Sequence, residues 1–271
     1  MREVKIAQEI QAHVLPAENL AWHGLVCSGW TRSPSEIGGE LFDYFTLQKG
    51  SLALAQAGIP GRGISSALIM AMTKMTLRVL LEQDLSTPSG YLERMEAQFC
   101  EVKGFSRISF FLALLEAGSR EISYTVAGSS RVFIMTPDGS VQTAPFGSPP
   151  LGVPRPGPLQ TRTIAFPQGS RMMVCSEGLF AMDEDVGFVS GAGTNMDTIA
   201  GALRQTDAPV GPHLFSLLDR ISRSPRPDRP QTVLILDGMP AGTGQTPAGT
   251  AQTPVNPPRT PADAVEHMRK A

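Results

Sequence analysis

Ile6, Ile10 and Val14 recur at helical spacing between residues 2 and 15, and Pro16 closes the run, so the pattern predicts a short amphipathic helix. From residue 24 the period falls to two. "GLVCSGWTR" predicts one strand, and "LFDYFTL" and "SLALAQA", joined by the turn "QKG", predict a hairpin. Ile64 to Gln83 returns to a helix that is apolar on almost every face, which predicts cover on both sides. The methionines of its "LIMAMTKM" stretch are expected in the core. A second helix is expected over about 88–102, with Tyr91, Met95 and Phe99 on one side. Strands follow in "RISFFLALLE", "REISYTVAG", "RVFIMT", "SVQTAP", "LQTRTIAF" and "SRMMVCSEG". Two further helices are expected at about 194–205 and 211–222, and "QTVLILD" supplies a last strand ending near Asp237.

Runs of antiparallel strands with helices set between them indicate an α+β domain. Two antiparallel sheets packed together and covered by helices account for the elements. The chain then divides into a lead-in helix at 1–16, a layered domain at 17–237 and a tail at 238–271. Residues 238–262 are rich in Pro, Gly and Thr and hold no large apolar residue beyond Met239 and Val255, so they read as a flexible tail. The lead-in helix either docks on its own domain or mediates a homodimer.

Composition narrows the function classes. A formal net charge of −2 gives no electrostatic case for nucleic acid or an anionic membrane. Ile64 to Leu81 contains Lys74 and Arg78, so it reads as a core helix and not a membrane span. The first sixteen residues mix charges through their apolar positions, which argues against a secretory leader. Cys27, Cys100 and Cys175 are widely spaced and fit thiols of a reducing cytoplasm better than a disulfide frame or a zinc site.

Four places put acids or glycine at strand ends. "EIGGELFDYF" carries Glu36, Glu40 and Asp43, and "CSEGLFAMDED" carries Glu177, Asp183, Glu184 and Asp185. "PRPDRPQTVLILD" carries Asp228. These acids either gather as a hard-cation site or are solvated loop charges. The fourth place, the turn Gly58-Ile59-Pro60-Gly61-Arg62-Gly63, has no acid. Gly61, Arg62 and Gly63 before a helix either offer backbone N–H groups to an anion or only permit a tight strand-to-helix connection. The turn lacks the Walker lysine and the G-x-G-x-x-G spacing, which argues against nucleotide binding. His13, His23, His213 and His267 show no ligand spacing.

Several of these stretches, in order, resemble the SpoIIE/RsbU-type branch of the metal-dependent PPM serine/threonine phosphatases. The chain has "EIQAHVLP", "IGGELFD", "GIPGRGISSALIMA", "AGSSR", "CSEGL" and "RPQTVLIL" where that branch has "EIQ…LLP", "VGGDYYD", "DVSGKGIPAALLMA", "AGHPP", "YTDGV" and "DDITLLVL". The resemblance implies the PPM fold, a four-layer αββα sandwich. It also implies a two-metal Mn²⁺ or Mg²⁺ centre whose bridging water attacks a phosphoserine or phosphothreonine. Partners of the family are phosphorylated STAS-domain anti-anti-sigma proteins in bacterial partner switching.

Residue by residue the ligand pattern departs from the family. Glu40 replaces the first aspartate and Asp43 keeps the second. Gly58 stands where the family's metal-bridging aspartate stands, and Glu177 where the "TDG" aspartate stands. Arg229 and Pro230 replace the paired aspartates, with Asp228 one residue early, and Ser129 replaces the histidine. Loss of acids at Gly58 and Arg229 with gain of a cation weakens a binuclear dication site. The leading expectation is a pseudophosphatase that binds a phosphorylated or regulatory protein without a metal. The alternatives are an active Mn²⁺- or Mg²⁺-dependent phosphatase using Glu40, Asp43, Glu177 and Asp228, and a scaffold that oligomerises through its N-terminal helix.

Overall fold

The computed structural model of the chain describes residues 2–33, 37–47, 50–83, 85–99, 107–144, 147–179, 201, 203–204 and 230–238. It is an α+β fold of two antiparallel sheets lying face to face with helices outside them. The first sheet joins β1 (Leu20–Trp22), β2 (Leu25–Arg32), β11 (Gln231–Gly238), β10 (Arg171–Cys175), β7 (Arg131–Met135) and β8 (Val141–Thr143), in that spatial order. The second joins β3 (Glu40–Thr46), β4 (Leu52–Gly58), β5 (Ser109–Leu115), β6 (Glu121–Ala127) and β9 (Arg162–Ala165). Every ladder is antiparallel, and the expected β3–β4 hairpin is present with Glu40 opposite Gly58.

Side-chain alternation assigns each strand residue to a layer. In the first sheet Cys27, Val132, Met172, Val174, Leu234 and Leu236 face the other sheet. Their neighbours Trp30, Phe133, Met173, Cys175, Val233 and Ile235 form a separate apolar cluster on the outer face, with Leu203 packed against it. Burial pushes the Cys27 and Cys175 thiols up, so both are inert core residues. Cys100 lies outside the described residues.

The second sheet carries α2 (Ile64–Leu81) and α3 (Pro88–Phe99) on its outer face. Beneath them Ala53, Ala55 and Ala57 are small enough to bring helix and sheet close. Tyr91, Met95 and Phe99 are buried as the periodicity predicts. Residues 100–102 of that expected helix lie outside the described residues. So do the helices expected at 194–205 and 211–222, apart from Gly201, Leu203 and Arg204, which are helical.

Helix α2 departs from expectation. Its even apolarity predicts cover on both sides, yet the described residues cover only one side. Met70, Thr73, Leu77 and Leu80 are buried, while Ile64, Leu68, Met72, Met75 and Val79 are 45–61% exposed. Met70 is in the core as predicted, and Met72 and Met75 are not.

Helix α1 (Arg2–Val14) docks on its own domain beside α2. The Gln11 side-chain amide pairs with both peptide groups of Gly38, donating to the carbonyl at 2.6 Å and accepting from the N–H at 3.3 Å. Lys74 of α2 donates to the Val14 carbonyl at the helix end, and Leu15 is buried just beyond it. Ile6 and Ile10 remain about half exposed, at 49% and 60%.

Candidate functional site

The strand ends that hold the quoted motifs meet at one edge of the sandwich. The start of β3, the end of β4 and the start of β5 lie side by side, with Gly58 paired to both Glu40 and Ser109. The end of β10 and the start of β11 join them from the other sheet, because the Thr232 hydroxyl donates to Glu40 Oε2 across the interface. Glu40, Gly58, Ser109 and Thr232 therefore share the layer between the sheets.

Glu40 is almost fully buried, at 7% exposure. Burial pushes its carboxyl from about 4.5 up to about 7, against hydrogen bonds from the Thr232 and Ser176 hydroxyls that favour the charged form. The side chain leans over residue 58: a β-carbon placed there would stand 3.2 Å from Glu40 Oε1. The longer acid at 40 and the missing side chain at 58 are two halves of one packing arrangement. Ser176 is fixed in turn by β11, donating its N–H to the Thr232 carbonyl at 3.0 Å and accepting the Thr232 N–H on its hydroxyl at 2.8 Å.

Asp43 does not join Glu40. Three residues along a strand reverse the face, and Asp43 points outward under α2. There, with 1% of its side chain exposed, it pairs with Lys74 at 3.1 Å and Arg78 at 3.2 Å. Burial lowers the Lys74 pKa, and the Asp43 charge works against that shift. These contacts tie β3 to α2, and through Lys74 to the end of α1.

The acid-free turn is a connection between β4 and α2, docked on the loop before β3. Gly61 and Gly63 take φ of +107° and +77°, which side chains disfavour. Ile59 N–H donates to the Gly39 carbonyl at 3.0 Å and Gly63 N–H to the Ile37 carbonyl at 3.3 Å. A β-carbon at Gly39 would stand 2.6 Å from the Ile59 carbonyl oxygen, so the close approach requires glycine. Arg62 is exposed at the tip.

Glu177 follows β10 in a short 3₁₀ turn, Glu177–Leu179, exposed at the rim. Its charge acts on Arg131 at the start of β7, whose guanidinium pKa burial lowers. The Ser129 and Ser109 hydroxyls share a hydrogen bond at 3.0 Å, and the Ser129 N–H donates to the Ser109 hydroxyl at 3.2 Å. The Pro230 carbonyl lies 3.5 Å from the Ser176 hydroxyl. Glu36, Asp183, Glu184, Asp185, Asp228 and Arg229 lie outside the described residues. Thr232, Ser176 and Arg131 escape sequence reasoning because hydroxyls at strand ends and a lone arginine carry no motif.

A two-metal centre needs carboxylates from several loops aimed at one point. Among the described residues no three His, Cys, Asp or Glu side chains come together to hold a metal ion. Glu40 is engaged by hydroxyls, residue 58 has no side chain, and Asp43 is on the other face. The donor set of the described residues does not fit a binuclear cation centre.

Residues 48–235 match the family model of Stage II sporulation protein E (SpoIIE). No curated protein sequence matches the chain. The fold is similar to the RsbU and RsbW domains of Rv1364c from Mycobacterium tuberculosis, at 20% identity and a TM-score of 0.71, over 83% of this chain and 62% of that one. The chain thus spans less than two thirds of that structure. It is similar also to the SiaA-PP2C domain of Pseudomonas aeruginosa, at 15% identity and a TM-score of 0.69, over 88% of this chain and 96% of that one. The PP2C phosphatase domain of SpoIIE from Bacillus subtilis, with a fragment of its regulatory domain, matches at 13% identity and a TM-score of 0.63, over 78% and 63%. These likenesses give the fold, and the family match covers more than half of the chain. The chain belongs to the SpoIIE family of PPM-type phosphatase domains.

Proposed function

We propose that this SpoIIE-family domain has lost metal-dependent hydrolysis and acts by binding a regulatory protein in bacterial partner switching. The observation that carries the reading is the Glu40–Gly58–Thr232 arrangement. Where the family sets two aspartates to ligate metal, this chain has one buried acid bonded to a threonine and a serine hydroxyl. A carboxyl that burial raises to about 7 takes up a dication only in competition with its own proton. The binding half of the reading rests on the neighbours, among them the RsbU and RsbW domains of one protein and a bacterial stressosome component. A phosphorylated STAS-domain protein is the partner class that the family resemblance implies.

Calorimetric titration with Mn²⁺ and Mg²⁺ tests the catalytic half, with p-nitrophenyl phosphate turnover followed in the same samples. The expected result is neither binding nor turnover. Stoichiometric metal binding with chelator-sensitive turnover would establish an active enzyme with a rearranged site. Titration of a phosphorylated STAS-domain protein in excess chelator tests the other half, and there binding is expected.

A further inference from the structure

The edge of the sandwich that holds Gly58 is basic. Arg32 ends β2 beside the start of β11, and Arg131 begins β7 beside the end of β10. Arg62 tips the turn before α2, and Arg107 stands just before β5. Among the described residues the acids on these strand ends and turns are Glu40, which is buried, and Glu177. The chain as a whole has a net charge of −2, so this edge runs against its average.

Two of the arginines flank one point. Arg107 is two residues before Ser109 and Arg131 two after Ser129, and those serine hydroxyls share a hydrogen bond at 3.0 Å. Gly58, paired with Ser109, puts no acid there. Arg107 holds φ at +60°, a conformation that side chains disfavour and that recurs at functional sites. Guanidinium groups so placed suit a phosphate, whose oxygens accept their N–H groups.

The sequence supplies a segment that can carry one. Gln245-Thr246-Pro247-Ala248, Gln252-Thr253-Pro254-Val255 and Arg259-Thr260-Pro261-Ala262 repeat one motif every seven residues. What recurs in them is a threonine hydroxyl between a polar residue and a proline. Residues 238–262 hold no acid and a single cation, Arg259, so unmodified they offer the arginines nothing. Each phosphate added to a threonine brings about −1.5 to −2 charges.

We infer that Thr246, Thr253 and Thr260 are phosphoacceptors, and that the phosphorylated tail binds this edge in cis and excludes a phosphorylated partner. The inference rests on the reading that the edge takes a phosphorylated segment. A serine/threonine kinase with ATP supplies the group. The threonine oxygen bonds to the γ-phosphorus, the bond from that phosphorus to the β–γ bridging oxygen breaks, ADP leaves and the hydroxyl proton is released.

Reach separates the three positions, which lie outside the described residues. The tail leaves from Gly238 at the far end of β11, so it must return at least that strand's eight residues, about 26 Å. Thr246, Thr253 and Thr260 lie eight, fifteen and twenty-two residues beyond Gly238, for extended reaches of about 26, 50 and 73 Å. Thr246 has nothing left to round the sheet, whereas Thr253 and Thr260 have slack.

A labelled peptide of residues 245–262, phosphorylated on its three threonines, tests the site by fluorescence anisotropy with the full chain in excess chelator. Binding is expected, with none for the unphosphorylated peptide. Arg107→Gln combined with Arg131→Gln should weaken it about tenfold or more. Phosphothreonine placed at residue 253 of the full chain by codon suppression should also weaken it about tenfold or more, because the cis segment competes at high effective concentration. Phosphothreonine at residue 246 should not. Mass spectrometry of the chain from its own cells should find phosphate on the three threonines. Equal binding of the two peptides would overturn the inference, as would equal effects of phosphothreonine at 246 and 253, or a tail without phosphate in cells. A phosphorylated STAS-domain protein that binds in chelator whatever residue 253 carries would overturn it too, while leaving the partner reading in place.

Discussion

Glu40 and Gly58 face each other across the β3–β4 pair, and the Glu40 carboxylate reaches to 3.2 Å from where a β-carbon on residue 58 would stand. The two positions must therefore change together. Gly58→Asp alone crowds Glu40 and adds a second buried acid beside it, at a cost of about 1–3 kcal/mol. Glu40→Asp withdraws the carboxylate by one methylene and makes room. The double substitution should be less destabilised than the sum of the single ones by about 1 kcal/mol or more. Urea denaturation of the four proteins measures this coupling, and strict additivity would show that Glu40 does not fill the space above residue 58.

The same acid makes the fold pH-sensitive. A carboxyl at about 7 in the folded chain and about 4.5 when unfolded holds its proton more tightly folded, so its contribution is complete below pH 4.5. It is lost as pH rises through 7, by a total on the order of 3 kcal/mol. Glu40→Gln should remove that slope between pH 4.5 and 7. Thr232→Val removes a hydrogen bond that favours the charged form, so the loss should extend to higher pH. Denaturation midpoints of the three proteins at pH 5 and pH 8 give the comparison. A wild type as steep as Glu40→Gln would place the charge elsewhere.

The strands were legible because "LFDYFTL", "SLALAQA" and "QTVLILD" are short, mostly apolar runs of strand length. The family was legible from short motifs in order. The face of Asp43 was also available, since residues 40 and 43 must lie on opposite sides of one strand. The motif grouped the two acids and hid that parity. Thr232 and Ser176 could not be read, because their role depends on one sheet packing on the other. Nor could the open face of α2: an all-round apolar helix implies cover, and sequence does not say whether the same chain supplies it.

Asp43 is a structural residue by its contacts, and its removal should behave so. With Asp43→Ala the nearly buried Lys74 loses its counter-charge, and destabilisation by about 3–5 kcal/mol is expected. Arg78→Ala should cost less than about 1 kcal/mol, because its side chain is 45% exposed. Both effects should be equal in Mn²⁺ and in chelator. A loss for Asp43→Ala that appears only in Mn²⁺ would return this residue to the metal ligands.

Gln11 connects α1 to the glycine loop that leads into Glu40, through both peptide groups of Gly38. Its amide takes the place of a backbone partner for a segment that lies on no strand. Gln11→Ala leaves that peptide with water or nothing, a local loss of about 1 kcal/mol. Amide exchange in α1 should then quicken by about fivefold, while β4 and β5 in the middle of the sheet keep their protection. Hydrogen exchange read by mass spectrometry resolves the two regions. Unchanged exchange in α1 would mean that Lys74 at the Val14 carbonyl and the buried Leu15 suffice to hold the helix, and that Gln11 serves only the loop.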